Sequence, residues 1–218
     1  MRMRKKPNLP ARMEKCAHLL VAEPESLRGR WLDEFEYGDL HIELGCGKGR
    51  FTAETARLEA GKVNGSGTGV FIAALEKSAD AMIIAVERAA AEGLENVRFV
   101  NAFADDLADY FAPCEVSRVY LNFCDPWPSN RHRKRRLTDR RFLELYMQAL
   151  KPGGDIHFKT DNLPLFEYSL PEFECAGFIL AEVRHDLHKD GPVGVMTDYE
   201  LKFFAQGLPI YKCTARRP

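Results

Sequence analysis

A short apolar run, Leu40–Leu44, passes directly into Gly45-Cys46-Gly47-Lys48-Gly49 and then into a helical stretch from Arg50 to about Leu58. A strand that turns through glycines into a helix opens a crossover unit, and the rest of the chain keeps to that alternation. Val70–Leu75 predicts a second strand, ending at Glu76. Ala79, Met82, Ile83, Val86 and Ala90 then fall at i, i+3, i+4, i+7 and i+11, one face of an amphipathic helix that Gly93 closes. Val97–Val100 and Val116–Phe123 predict the third and fourth strands. The fourth is almost continuously apolar, as a strand covered on both faces should be. Thr138 predicts an N-cap for a helix striped by Phe142, Leu145, Tyr146 and Ala149. Lys151-Pro152-Gly153-Gly154 breaks that helix, and Asp155–Lys159 is a fifth strand. A helix around Leu165–Ala176 follows, then two strand-like runs at about Phe178–Asp186 and Tyr199–Gln206 with no clear helix between them. The pattern implies an α/β, doubly wound, mostly parallel sheet with right-handed crossovers and an antiparallel hairpin at one edge.

At 218 residues the chain is long enough for one well-cored domain. Residues 1–37 open with the basic Met1-Arg2-Met3-Arg4-Lys5-Lys6 and carry few patterns, so they read as an arm and lead-in to a single domain over 38–218. The formal net charge is -1, so any affinity for nucleic acid must rest on local basic clusters. Six cysteines without a C-x-x-C pair argue against a zinc ribbon or a disulfide scaffold. No apolar segment follows the basic N-terminus, and no apolar stretch reaches the roughly 18 residues of a membrane span. The expectation is a soluble, cytoplasmic protein. His185 and His188 lack companions, are expected at the surface or in packing, and predict no metal site.

The glycine loop and the acid at the next strand end point to an adenosyl cofactor. Glycines allow a tight turn and a close approach of ligand to backbone, and ligands of open α/β sheets sit beyond the carboxyl ends of the strands. Glu76 stands where an acid can accept from both ribose hydroxyls. A dinucleotide site would want G-x-G-x-x-G, with a helix N-terminus facing a pyrophosphate. Here the loop is G-x-G-x-G, and Glu43 stands two residues ahead of it. That carboxylate repels a pyrophosphate and suits the ammonium and sulfonium of S-adenosylmethionine.

The stretch most informative about chemistry is Tyr120-Leu121-Asn122-Phe123-Cys124-Asp125-Pro126-Trp127-Pro128. Two prolines limit the backbone, so Asp125 and Trp127 are presented with little freedom. The basic run Arg131-His132-Arg133-Lys134-Arg135-Arg136 follows at once and is suited to phosphate. Phe158-Lys159-Thr160-Asp161-Asn162 brings Asp161 to the same rim, and Thr197-Asp198-Tyr199-Glu200 precedes the last predicted strand. An acid there can accept from the N1–H and N2–H groups of a guanine.

These segments, with Ile42–Gly49, resemble those of the bacterial tRNA (guanine-N7)-methyltransferases from about Leu40 to the C-terminus. The resemblance implies a Rossmann-like fold with seven strands, S-adenosylmethionine as donor with S-adenosylhomocysteine as product, and a variable-loop guanosine of tRNA as acceptor. It implies donor contacts at Glu43, Gly45, Gly47, Gly49, Glu76, Ala102 and Phe103, with Asp125 between donor and base as the catalytic residue. Ser129, Arg131, Arg133, Arg136, Asp161, Thr197, Asp198, Tyr199 and Glu200 fall on the substrate side. Three departures stand out. Ser129 replaces a lysine that many members place after the second proline, Phe103 stands where an acid or amide often meets the adenine, and the Asn64–Gly69 loop is longer than usual. No obligatory protein partner is implied, and monomer and homodimer both remain open. A methyltransferase for another acceptor would not need the basic run, and a noncatalytic tRNA-binding protein would not need three acids beside a polyanion.

Overall fold

A computed structural model of the chain describes residues 5–60 and 69–218. Met1–Arg4 and, apart from Gly69, the Asn64–Gly69 loop lie outside the described residues. The chain divides into two compact units, Met1–Phe111 and Ala112–Pro218, and among the described residues seven strands form a mixed sheet.

In the first unit β1 (Asp39–Leu44), β2 (Val70–Leu75) and β3 (Val97–Val100) run parallel, with β2 in the middle. All six residues of β2 are buried, which is why its sequence is apolar throughout rather than alternating. The α-helices among its described residues are α1 (Leu9–Lys15), α2 (Trp31–Phe35), α3 (Arg50–Glu59), α4 (Ala79–Ala91) and α5 (Leu107–Tyr110). Among residues 5–37, Leu19, Leu27 and Trp31 are buried in this core. Trp31 is 0% exposed; its indole N–H donates to the Tyr110 carbonyl at 2.9 Å and its ring stacks on Phe111 at 5.3 Å. Arg12 of α1 grips the Glu87 carboxylate of α4 with two bonds of 2.7 and 2.6 Å. Helices of five and seven residues are too short to show a period, so the sequence displays them only as an unpatterned lead-in.

In the second unit β4 (Val116–Asn122) runs parallel to β5 (Leu150–Thr160), while β7 (Tyr211–Arg216) lies antiparallel between β5 and the outermost β6 (Ile179–Arg184). Its helices are α6 (Arg140–Ala149), α7 (Leu163–Cys175) and α8 (Asp198–Ala205).

The structure corrects the sequence reading in four places. Tyr199–Gln206 belongs to α8, not to a strand. Tyr199, Leu201 and Phe203 alternate with polar residues and so imitate a strand, but a capping box overrides that pattern. The Thr197 hydroxyl accepts from the Glu200 amide at 2.9 Å, and the Glu200 carboxylate accepts from the Thr197 amide at 3.2 Å. The last strand is therefore Tyr211–Arg216, and the antiparallel edge pair is joined by a long connection carrying α8 instead of a hairpin turn. Lys151–Gly154 ends α6 but belongs to β5, accommodated by a register shift between Val116 and Arg118. Finally, α6 is capped by Asp139, whose carboxylate accepts from the Arg141 amide at 3.3 Å; Thr138 is buried, 2.7 Å from the Ser169 hydroxyl.

Candidate active site

Apart from Asp125, the donor-side residues fall in the first unit. The amides of Gly45 and Cys46 both donate to the Leu75 carbonyl, at 2.8 and 3.1 Å, so the glycine loop is tied to the end of β2. Glu76 strengthens the tie: one carboxylate oxygen accepts from the Gly47 amide at 3.0 Å and the other from the Ser78 amide at 2.8 Å. The glycines divide into two kinds. A Cβ on Gly45 or Gly47 would meet nothing nearer than 4.0 Å, so the loop is open there. A Cβ on Gly49 would come within 2.4 Å of the Ala85 Cβ, so that glycine serves the close packing of α3 against α4.

Glu43 is buried and accepts from the Thr52 hydroxyl of α3 at 2.6 Å. Burial first, then the negative charge of Glu43 and Glu76, pushes the Cys46 thiol well above its ordinary range, so it stays neutral. Two carboxylates thus border an open glycine loop, an arrangement chemically suited to a cation with hydroxyls to donate. At the end of β3, Ala102 is buried and Phe103 is 59% exposed, an aromatic face left for a ligand or solvent. Thr52 and Asn101 were not singled out from sequence. Asn101 donates its amide to the Glu76 carbonyl at 2.7 Å. A polar residue immediately after a predicted strand is the only signal that could have marked it.

The acceptor-side residues fall in the second unit. Phe123 (φ 53°) and Trp127 (φ 41°) lie on either side of Asp125 in the left-handed region. Each such non-glycine residue costs about 1–3 kcal/mol, and such residues cluster at functional sites. Asp125 is exposed. Cys124 is half-buried beside it, and burial, then the Asp125 charge, pushes its thiol up to about 12. The basic run folds as a 3-10 turn, Asn130–Arg135, with half-buried Ser129 as its N-cap. Arg131 and Arg133 are exposed, while Arg135 lies 4.8 Å over the Trp127 ring and His132 meets it edge-on at 5.8 Å. Arg136 differs from its neighbours: it is buried, and its guanidinium donates to backbone carbonyls of Pro126 and Trp127.

Asp161, at the end of β5, accepts from the Tyr199 hydroxyl at 3.3 Å. Tyr199 is 45% exposed and packs against Phe123 at 5.3 Å. The end of β4, the end of β5 and the first turn of α8 are thereby brought together. Burial first, then Asp161, raises the Tyr199 phenol, so it remains a donor at neutral pH. Thr197 and Asp198 are half-buried, and Thr197 is the cap described above. Glu200, expected from sequence among the base contacts, instead points inward and is 0% exposed. Its carboxylate accepts from Lys159 Nζ at 2.7 Å and from His188 Nε2 at 2.9 Å. His188 Nδ1 accepts from the Val193 amide at 3.2 Å, which puts the ring proton on Nε2. His188 and Lys159 are therefore the anchors of α8, a role that neither spacing nor residue type announced.

A family model described as "Putative methyltransferase" matches residues 38–213. The tRNA (guanine-N(7)-)-methyltransferase of Geobacillus kaustophilus strain HTA426 is 46% identical over 100% of this chain and 98% of its own length. That of Bacillus velezensis is 43% identical over 97% of this chain and 95% of its own. Among solved structures, the 16S rRNA methyltransferase KamB superposes with a TM-score of 0.63 at 18% identity, covering 90% of this chain and 93% of that one. This last likeness is one of fold.

Proposed function

We infer that this chain, which belongs to the tRNA (guanine-N(7)-)-methyltransferase family, transfers a methyl group to N7 of a guanosine in the variable loop of tRNA, with S-adenosylmethionine as donor. The observation that carries the reading is likeness at 46% identity along the whole chain, in a protein that presents an exposed aspartate on a loop strained at both ends.

The residues present fit the donor. Gly45 and Gly47 leave space above the loop, Glu43 supplies a buried negative charge opposite the cationic end, and Glu76 retains lone pairs for the ribose hydroxyls. Phe103 offers a face to the adenine, with the backbone around Ala102 as its polar partner. When bound, the donor supplies an electrophilic methyl group on a positively charged sulfur, and guanine N7 presents an in-plane lone pair with no proton to lose. No residue is therefore needed as a general base. The work of the chain is alignment, an effect worth up to about 7–11 kcal/mol of barrier.

Asp125 stabilises the positive charge that passes onto the base and helps to orient it. Asp161 accepts from the guanine edge, and Tyr199 supplies an aromatic wall for a base drawn out of its stack. Asp198 borders the same turn, whereas Glu200 acts from inside by holding that turn in place. Arg131 and Arg133 meet tRNA phosphates. Ser129 adds a hydroxyl there but no charge. A tRNA substrate supports a cytoplasmic location.

Labelled methyl transfer from S-adenosylmethionine to unmodified tRNA transcripts, mapped by borohydride–aniline cleavage, tests this reading. Cleavage at one variable-loop guanosine, lost when that base is changed to adenosine, is the expected result. Donor binding without methyl incorporation would send the search to another acceptor.

A further inference from the structure

The basic run contains one arginine that does not face solvent. Arg136 is 7% exposed. Its Nε donates to the carbonyls of Pro126 and Trp127 at 3.1 and 3.3 Å, and its Nη2 donates to the Trp127 carbonyl at 3.0 Å. The guanidinium lies 4.2 Å over the Tyr168 ring. The Tyr168 hydroxyl donates at 3.0 Å to Asp139, the residue that caps α6. The strained end of the Asp125 loop is thus bonded through Arg136 to α7 and to the start of α6. A planar fork makes this arrangement, and a lysine ammonium cannot reproduce it. Arg131, Arg133 and Lys134 of the same run are all exposed and take no such part.

We propose that Arg136 is a positioning residue for methyl transfer, holding the carbonyls of Pro126 and Trp127 and through them the carboxylate of Asp125, and that it makes no phosphate contact with tRNA. The proposal rests on the reading of Asp125 given above. It distinguishes two roles within one run of like charge. The exposed arginines contribute affinity that salt screens, while the buried one contributes geometry that salt leaves untouched. Trp127 holds φ 41°, and the bonds to its carbonyl oppose its return to an ordinary conformation. Tyr168 remains a neutral donor to Asp139 at working pH, because burial and then Asp139 push its phenol up to about 12.

The test compares Arg136→Lys, Arg136→Ala, Arg133→Ala and Asp125→Asn in the full chain. Single-turnover methyl transfer, tRNA affinity across a salt series, melting temperature and the near-ultraviolet signal of Trp127 are measured for each. Arg136→Lys keeps the charge and should lose at least tenfold in the methyl-transfer rate, with a changed Trp127 signal and an unchanged tRNA salt slope. Arg133→Ala should flatten that slope by roughly 0.7–0.9. If Arg136→Ala fails to fold, Arg136→Lys still decides the matter. A wild-type rate in Arg136→Lys overturns the proposal, and so does a flattened salt slope in a folded Arg136→Ala. Full turnover in Asp125→Asn alongside a slow Arg136→Lys would remove the role of Asp125 and leave the loop clamp standing through Trp127.

Discussion

At the scale of single residues, the two carboxylates that sequence placed at strand ends have different tasks. Glu76 is bonded to the Gly47 and Ser78 amides, so truncation loosens the glycine loop as well as removing the proposed ribose acceptor. Glu76→Ala should weaken donor binding by at least tenfold in a calorimetric titration, and Glu76→Gln, which keeps one acceptor oxygen, by less. Asp125 instead faces outward between two strained residues. Asp125→Asn should retain donor affinity and lose turnover by a factor of about 100, the scale on which one well-aimed electrostatic group acts. Equal turnover in wild type and variant would remove Asp125 from the chemistry. Both acids were legible in the sequence, because strand-end position and flanking glycine or proline are local properties. Thr52, Asn101, Lys159 and His188 were not, because each acts through a partner distant in sequence.

At the scale of elements, two contacts decide how the site is held. The start of α3 presses on α4 where Gly49 meets Ala85. Gly49→Ala should combine a left-handed backbone cost of about 1–2 kcal/mol with an overpacking cost of about 1–3 kcal/mol. Gly93→Ala, also at positive φ but with nothing within 4 Å of the new Cβ, should show only the first. Comparing the two melting temperatures separates packing from conformation. The other contact fastens α8 through Lys159, Glu200 and His188, with Glu200 wholly buried. Glu200→Gln leaves the Lys159 ammonium buried without its counter-charge and should cost about 3–5 kcal/mol of stability. If that variant melts like the wild type while losing tRNA methylation, Glu200 meets the base directly and its inward bonds are secondary. The sequence pattern of α8 misled because apolar alternation and a capping box occupied the same residues, and the cap governs helix initiation.

At the scale of the whole molecule, the formal charge of -1 leaves RNA affinity to local features. Replacing Arg131 and Arg133 together should lower the slope of tRNA affinity against salt by about 0.7–0.9 for each phosphate no longer neutralised. Stability should also fall on acidification, through a cluster in the second unit. Asp155 accepts from Arg118 at 2.6 and 3.1 Å and lies 3.4 Å from His157. Burial, partly opposed by Asp155, lowers the His157 pKa in the folded state. The folded state therefore disfavours the imidazolium, and stability is lost as pH falls below about 6.5, the unfolded value. Burial alone would raise the Asp155 carboxyl, but the hydrogen bonds from His157 and Arg118 outweigh it and hold the group well below its usual range. Its contribution is present above about pH 4 and is lost as pH falls further. Melting temperatures of wild type and His157→Gln, measured from about pH 8 to about pH 5 so as to span the ordinary imidazole range, should converge toward the acid end. Parallel curves would show that His157 does not carry the effect.

Taken by itself, the sequence determined the α/β alternation, the parallel strands β1 to β3, the glycine loop with its acids, and the loop bearing Asp125 and Trp127. Each is set by periodicity or by backbone limits that act over a few residues. Tertiary structure alone decided that Trp31 belongs to the core, that the last strand lies beyond α8, that Glu200 faces Lys159 and His188, and that Arg136 is a clamp within a run of mostly exposed cations. Burial and partnership depend on which distant segment arrives alongside, and a local pattern of charge or hydropathy carries no record of that arrival.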